Sequence, residues 1–389
     1  MFYFWQIRDR SPPLSVYLDC NATTPMEPEI QAAVLKFMAE EFGNSGSRTH
    51  EYGNRAKVAV QNARDQVARA IGTDREEVIF TSGATESNNL AILGLAAVGE
   101  RSDRRHIIST QLEHKAVLEP LDILRQRGFD VTLIQSEPGG YVDPDRIRKA
   151  LRADTLLVSV MQVNNETGVA QPISEIAAGL IDHPAYLHVD AAQGFGKSNE
   201  PLRSRRIDLI SVTAHKIYGP MGVGALIARR RKFERPPLTP LMFGGGQERG
   251  LRPGTLPVPL IVGLGLAAEL GAKDAATRRK ACEAYRTCVL EGLAPLEPDI
   301  NGDQQRVLPN TVSLSVPGLD SEAFMLATKG LIAVSNGSAC TSQSYQPSHV
   351  LEAMGLEADR VKSTVRLSWC HLTPPVNWAE VVAAVGRVR

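Results

Sequence analysis

Two ionisable residues stand at the ends of two predicted strands, the position where open parallel sheets gather their ligands. Asp190 closes the run YLHVD, and Lys216 follows the run DLISVTAH. A carboxylate at the end of a buried strand needs a positive or donor partner, such as a protonated heterocycle nitrogen. A lysine there is either a solvated helix start or a desolvated nucleophilic amine. Because pyridoxal 5′-phosphate needs both an acidic partner for its pyridinium and a Schiff-base lysine, the pair predicts that cofactor.

Donors for a phosphate follow two of the same predicted strands. Thr85 opens an apolar helix after the run VIFTSGA, where Gly83 and Ala84 leave the backbone uncovered. Such a helix N-terminus is either an anion site or a plain N-cap. Thr213 and His215 stand directly before Lys216. Together with Thr85, they would supply the phosphate end of the cofactor site.

Three more polar residues follow predicted strands and admit more than one interpretation. His114, after HIIST, is a surface residue, a ring stacked on a cofactor or a general base. The adjacent amides Asn164 and Asn165 need partners if they are buried, and they are equally at home in a turn. Arg366, at the end of the predicted strand TVRLSW, either binds a carboxylate with two hydrogen bonds or lies on the surface.

Cys340 lies among Ser, Gly, Asn and Thr in SNGSACTSQS. This surrounding is typical of a solvent-reaching loop, which a reactive thiol requires. The alternative is the small buried hydrophobe that most single cysteines are. The chain has five cysteines and no C-x-x-C, which indicates a reducing compartment. They are Cys20, Cys282, Cys288, Cys340 and Cys370.

Composition and charge exclude several classes of protein. The chain has 389 residues, 43% hydrophobic and 22% charged, as expected for a globular protein of two domains. Its 43 Lys and Arg balance 43 Asp and Glu, so no basic surplus favours direct binding of nucleic acid. No run of about 18 apolar residues predicts a membrane span. No phosphate-binding glycine motif or zinc-ligand spacing occurs, so no metal is expected, and the predicted location is the cytoplasm.

Secondary-structure patterning predicts an α/β architecture for the site. Between residues 78 and 229, seven short apolar runs alternate with amphipathic stretches, which indicates a mostly parallel sheet with crossover helices. After a long apolar helix near residue 260, shorter runs and helices predict a smaller α+β domain. The seven runs are VIFTSGA, HIIST, DVTLIQS, TLLVSVMQV, YLHVDA, DLISVTA and GVGALIA.

A series of motifs in a fixed order resembles the cysteine desulfurases, a class V aminotransferase group of the fold-type I pyridoxal phosphate enzymes. The resemblance covers roughly residues 16 to 389, and its GSACTS motif is similar to the subgroup with the longer cysteine loop. The motifs are YLDCNATTP, FTSGATESNNLA, EHKAV, VNNETGVAQP, HVDAAQ, AHKIYGPMGVGAL, RPGT, SNGSACTS and VRLS. The predicted domains are 1–16 (N-terminal extension), 17–29 (segment joining the small domain), 30–258 (large cofactor-binding domain) and 259–389 (small domain carrying Cys340).

The resemblance implies a role for each residue of the cofactor site. Lys216 would form the Schiff base, Asp190 would pair with the pyridinium nitrogen, and Gln193 would meet the phenolate oxygen. His114 would stack on the ring and shuttle protons. Ala84 and Asn165 would also bind the cofactor. The implied phosphate-binding residues are Thr85, Thr213, His215 and, reaching the other protomer of a homodimer, Thr255.

On the substrate side, the resemblance implies that Asn165 and Arg366 hold L-cysteine and that Cys340 is the nucleophile. The enzyme would convert L-cysteine to L-alanine, leaving a persulfide on Cys340 that passes to an acceptor protein. Three alternatives stay open. They are a general desulfurase for iron–sulfur clusters or thiolation, a selenocysteine lyase, and a transaminase of the same fold.

Finer likeness favours one branch of the family. The stretches SRTHEYGNRAK, MFGGGQERGLRPGTLPVPL and PSHVLEAMGL resemble the desulfurases of bacterial DNA phosphorothioation systems. Such an enzyme would supply sulfur to a partner protein without contacting DNA itself. Two places depart from the family pattern. Cys20 stands in DCNATT where DNAATT is common, and it is either inert or a competitor for sulfur; Trp369-Cys370-His371 follows the VRLS motif.

Overall fold

The computed structural model describes residues 15–336 and 347–389, which contain twelve strands and thirteen α-helices. The strands are β1 (Val16–Tyr17), β2 (Val78–Thr81), β3 (His106–Thr110), β4 (Asp130–Ile134), β5 (Thr155–Met161), β6 (Tyr186–Asp190), β7 (Leu209–Thr213), β8 (Gly224–Ala228), β9 (Asp299–Ile300), β10 (Thr311–Ser315), β11 (Ile332–Ala333) and β12 (Thr364–Ser368). The helices are α1 (Pro28–Ala39), α2 (Glu51–Ala70), α3 (Ala84–Leu93), α4 (Ala96–Ser102), α5 (Lys115–Gln126), α6 (Pro144–Ala150), α7 (Ile173–Gly179), α8 (Val258–Lys273), α9 (Ala275–Leu293), α10 (Ser321–Ala327), α11 (His349–Ala353), α12 (Ala358–Lys362) and α13 (Trp378–Gly386).

The large sheet has seven strands in the order β2-β8-β7-β6-β5-β3-β4. Its strands are the seven apolar runs, and the fold predicted from them is confirmed. β7, β6, β5, β3 and β4 are parallel, whereas β8 runs antiparallel to both β7 and β2. Neighbouring residues such as Leu226 and Ile227 belong to separate apolar clusters on the two faces. Burial on both faces explains why these runs lack polar alternation.

Helices α1, α2 and α8 pack on one another beside the large sheet. The apolar residues of α8, such as Ile261 and Leu264, belong to the same core as the strands. Gly265 permits a close approach to α2, because a Cβ there would lie 2.5 Å from Ala63 Cα. No residue with a side chain would fit without moving α2. The domain limits stay a prediction.

A second core lies around the three-stranded antiparallel sheet β12-β10-β9. Trp369, Phe324 and Leu18 are buried in it. Leu18 comes from the N-terminal segment, which enters this core because β1 pairs in parallel with β11. Asp19, two residues after β1, thereby lies beside Ser368 of β12. Among the described helices, none combines the length and the apolar character needed to cross a bilayer.

Candidate active site

A cavity of about 480 Å³ opens at the carboxyl ends of the parallel strands. Asn21 and Ala22 of the N-terminal segment and Arg366 of β12 line it together with residues that follow the strands of the large sheet. The predicted site residues in its walls are Ala84, Thr85, His114, Asn165, Asp190, Gln193, Thr213, His215, Lys216 and Arg366. Residues that the sequence did not single out, among them Asn21 and Asn88, also line it.

Asp190 is the last residue of β6 and is only 5% exposed. Its Oδ2 accepts a hydrogen bond of 2.7 Å from Asn88 Nδ2, and its Oδ1 accepts one of 2.9 Å from the Ala192 amide. Asn88 lies on α3, one turn after the helix begins, so it reaches the end of β6 from a neighbouring element. Both donors fix the carboxylate at the cavity wall. This position suits a carboxylate that must face a protonated ring nitrogen.

Lys216 ends the short 3₁₀ turn that follows β7. Its Nζ donates to the carbonyl oxygens of Asn21 and Ala22, the latter at 2.8 Å. The Asn21 carbonyl also accepts from Gln193 Nε2 at 2.8 Å. The N-terminal segment therefore crosses the lysine and joins it to the loop after β6. No local sequence pattern indicates this contact, because Asn21 and Lys216 are 195 residues apart along the chain.

The N-terminus of α3 forms part of the cavity wall. Gly83 is its N-cap and offers no side-chain capping bond, so the first amides of the helix point to the cavity region. Thr85, Thr213 and His215 lie in the same wall. Burial, with a smaller effect of Lys216, lowers the pKa of His215 to about 4. The ring is therefore neutral near pH 7, and one of its nitrogens is a hydrogen-bond donor.

Glycine is required at position 224, where the first residue of β8 packs against the start of α3. A Cβ on Gly224 would lie 2.4 Å from the Val212 carbonyl oxygen and 2.7 Å from Gly83 Cα. The contact brings the start of α3 against the end of β7, which holds Thr213. This arrangement is the backbone cradle that an anion at a helix N-terminus needs.

His114 is the N-cap of α5, and its Nδ1 accepts a hydrogen bond of 3.0 Å from the Ala116 amide. A neutral ring therefore carries its proton on Nε2. The preceding residue, Glu113, is fully buried and was not predicted as a site residue. Its Oε1 accepts from Thr110 Oγ1 at 2.7 Å and from the Met161 amide at 3.0 Å. Burial raises the pKa of Glu113 to about 8 despite these hydrogen bonds.

Arg366 lies at the centre of β12, opposite Ser313 of β10, and not at the strand end that its sequence position predicted. The guanidinium is 3% exposed. Its Nη2 lies 2.5 Å from Asp19 Oδ1, and its Nη1 donates to the Asn165 carbonyl at 2.9 Å. Nε is buried and has no hydrogen-bond partner within residues 15–336 and 347–389. Because Arg366 also lines the cavity, its guanidinium is placed to meet a carboxylate ligand there.

Cys340 lies outside the described residues, but the residues on both sides of its segment are anchored near the cavity. Ser335 exchanges backbone hydrogen bonds with Arg366, at 2.6 and 3.3 Å. On the far side, Ser348 Oγ donates to Glu166 Oε2 at 2.5 Å, and His349 Nε2 donates to the Glu113 carbonyl at 3.0 Å. Four residues lie between Ser335 and Cys340, so the two Cα atoms are at most about 18 Å apart.

Thr255 is exposed and does not line the cavity of its own chain. Within the part of the chain that the structure describes, no group of three or more His, Cys, Asp or Glu side chains could hold a metal ion. An amine, a buried carboxylate and an anion cradle in one cavity fit pyridoxal 5′-phosphate, which needs all three.

Comparison with known proteins identifies the family of the chain. The family model described as Aminotransferase class-V matches residues 16–375. The cysteine desulfurase IscS of Rickettsia felis is 44% identical over 360 residues, which are 92% of this chain and 86% of that protein. The crystal structure of DndA from Streptomyces lividans is 50% identical, with a TM-score of 0.80 over 90% of this chain and 98% of that one.

A solved structure titled SspA in complex with cysteine is 34% identical, with a TM-score of 0.81, and covers 93% of this chain and 99% of that chain. The fold and the resemblance predicted from the motifs are thereby confirmed. The chain belongs to the class-V aminotransferase family, whose enzymes depend on pyridoxal 5′-phosphate.

Proposed function

We propose that the protein is a pyridoxal phosphate-dependent cysteine desulfurase, which converts L-cysteine to L-alanine and holds the released sulfur as a persulfide on Cys340. One observation carries the proposal. A single cavity holds Lys216, Asp190 and Arg366, and the residues flanking the Cys340 segment are anchored at its edge. The desulfurase relatives support the same reaction.

Pyridoxal phosphate would supply an electron sink for the bond changes at the substrate carbon. Lys216 would hold it through the amine, and Asp190 would stabilise the protonated ring nitrogen. Gln193, already held by the Asn21 carbonyl, would meet the ring oxygen. The phosphate would lie at the start of α3, among Ala84, Thr85, Thr213 and His215.

Arg366 and Asn165 would bind the carboxylate of L-cysteine. Arg366 is already oriented by Asp19 and by the Asn165 carbonyl, so its position needs no change when substrate enters. We assign proton exchange with the substrate to His114 Nε2, because its Nδ1 is occupied by the Ala116 amide.

Cys340 would attack the sulfur of L-cysteine as a thiolate, since the thiolate is the nucleophilic form. The carbon–sulfur bond of the substrate breaks and a sulfur–sulfur bond forms on Cys340. The methylene carbon takes up a proton and leaves as the methyl group of L-alanine. Atoms balance: one thiol and one cysteine give one persulfide and one alanine.

The proposed assembly is a homodimer, and the proposed recipient of the sulfur is a protein. Thr255 is exposed and outside its own cavity, which is where a residue that completes the other protomer's phosphate site would lie. The identity of 50% with DndA supports the narrower proposal that the sulfur serves DNA phosphorothioation. A general desulfurase remains the second candidate, because IscS proteins are 44% identical.

Release of sulfide and alanine from L-cysteine with a reductant tests the reaction. We expect equal amounts from the wild type, and none from Cys340→Ala, although that variant still shows the absorbance of bound cofactor. Cys288→Ala is the matched control, because Cys288 is exposed on α9 and does not line the cavity. A wild type that binds cofactor and releases no sulfide would contradict the proposal.

Complementation separates the two candidate uses of the sulfur. The gene would be placed in one strain lacking the phosphorothioation desulfurase and in another lacking the iron–sulfur desulfurase. Phosphorothioate nucleotides restored in the first strain, measured by mass spectrometry of digested DNA, support the narrower proposal. Rescue of the second strain alone would favour the general enzyme.

A further inference from the structure

The two departures from the family pattern meet in space. Cys20 and Cys370 are 1% and 2% exposed, and together with Tyr218 they form a small separate apolar cluster. The two thiols are neighbours in this cluster, close enough that each shifts the pKa of the other. Backbone pairing holds them there, since the Cys20 amide donates to the Ser368 carbonyl at 3.0 Å and the Ser368 amide donates to the Leu18 carbonyl at 2.8 Å.

The surroundings make the two sulfurs chemically different. Thr373 Oγ1 lies 3.6 Å from Cys370 Sγ and donates to it. The neighbouring Cys20 thiol and this hydrogen bond lower the pKa of Cys370, with a smaller contribution from the Lys197 ammonium. The Cys370 thiol in turn raises the pKa of Cys20. Cys370 is therefore the better nucleophile and Cys20 the proton-bearing partner.

The two residues that flank Cys20 contact side chains that line the cavity. The residue before Cys20 is Asp19, which holds Arg366. The residue after it is Asn21, whose carbonyl accepts from Lys216 and Gln193. A movement of Cys20 is transmitted by the chain to these two contacts.

We propose that Cys20 and Cys370 are an oxidisable dithiol that a peroxide converts into an intramolecular disulfide, displacing the segment that holds Arg366 and Lys216. In the first step the Cys370 thiolate attacks an oxygen of hydrogen peroxide, giving a sulfenic acid and hydroxide. In the second step the Cys20 thiol attacks the sulfenic sulfur, the S–O bond breaks and water leaves. Both sulfurs are oxidised, the peroxide is reduced, and dithiothreitol reverses the change.

A sulfur–sulfur bond of about 2.05 Å is shorter than any hydrogen-bonded contact between thiols. Its formation must draw the segment around Cys20 toward the turn at Cys370. Because Asp19 and Asn21 flank Cys20, the expected consequence lies at the cavity. The inference does not rest on the reaction proposed for Cys340.

The test uses the full-length holoenzyme carrying Cys340→Ser, so that the proposed catalytic thiol does not consume peroxide. After treatment with hydrogen peroxide, remaining thiols are alkylated and the protein is digested without reductant for mass spectrometry. We expect a Cys20–Cys370 linked peptide, loss of two titratable thiols per chain, and recovery of both with dithiothreitol. Adding Cys288→Ser, the matched control, leaves the linkage intact, whereas adding Cys20→Ser abolishes it.

Two results would overturn the dithiol. One is that Cys20 and Cys370 are both still recovered as alkylated thiols after peroxide treatment, while the exposed Cys288 is oxidised. The other is that Cys370 links to Cys282, which is buried in the neighbouring core. The absorbance of bound cofactor tests the connection to the site. It is expected to change on oxidation and to recover on reduction, and a linkage that forms with an unchanged spectrum would overturn that part.

Discussion

The two walls of the cavity are built in different ways. The wall with Asp190 and Lys216 comes from successive strand ends of one sheet and from the helix after β2. The opposite wall joins Arg366 of β12 to Asp19, which is 347 residues away along the chain. The first wall is a consequence of α/β topology, which brings strand ends to one edge. The second depends on the pairing of β1 with β11, which brings the segment around Asp19 next to β12. We expect the first wall to govern cofactor binding and the second to govern substrate binding.

The largest expected effect comes from Lys216→Ala on the cofactor wall. Without the amine, the covalent link is absent and desulfurase turnover falls by about 10³-fold, within the range that a positioned proton-transfer group contributes. The absorbance spectrum of bound cofactor should change at the same time. Lys36→Ala, at an exposed lysine on α1, is the control. Full activity in Lys216→Ala would remove the cofactor assignment for this wall.

Asp190→Asn should lower turnover by about 10²-fold, because a neutral amide does not stabilise a protonated ring nitrogen. Asn88→Ala removes one hydrogen bond from the same carboxylate and should cost about tenfold or more, in line with about 1.5–3 kcal/mol for a bond to a charged group. Both rates are measured as alanine formation with saturating cofactor. An Asn88→Ala effect larger than that of Asp190→Asn would mean that Asn88 acts independently of the carboxylate.

The cofactor wall was readable from the sequence because its signals are local. Each buried strand is an apolar run, and the polar residue after the run falls at the same sheet edge as its neighbours. Asn88 was missed because its contact with Asp190 depends on the rotation of α3, which a capping pattern does not determine. Asn21 and Asp19 were missed because their partners lie 144 to 347 residues away. Arg366 was placed at a strand end because register in the small sheet is not visible from one strand alone.

Arg366→Lys tests the substrate wall. Lysine keeps the charge but loses the planar fork that bonds to Asp19 and Asn165 together. The KM for L-cysteine should rise about 10- to 100-fold, which corresponds to about 1.5–3 kcal/mol, while the absorbance of bound cofactor is unchanged. Arg279→Lys, an exposed arginine on α9, is the control. Loss of cofactor with an unchanged KM would mean that Arg366 serves cofactor binding and not substrate binding.

The smallest expected effect concerns the interior behind the cofactor wall, where Glu113 is buried beside His114. Burial raises the pKa of Glu113 to about 8, above its ordinary value of 4.5. Between these two values the folded protein holds a proton that the unfolded chain has released, so the free energy of unfolding falls as pH rises through this window. Glu113→Gln keeps an oxygen to accept from Thr110 and Met161 but cannot ionise. The Tm of this variant should match the wild type near pH 5 and exceed it by a few degrees near pH 8.

Glu100→Gln, on the surface helix α4, should show no such divergence with pH. A Tm difference between wild type and Glu113→Gln that stays constant from pH 5 to 8 would contradict this prediction. It would mean that Glu113 does not ionise in this window, so the charge beside His114 does not change with pH.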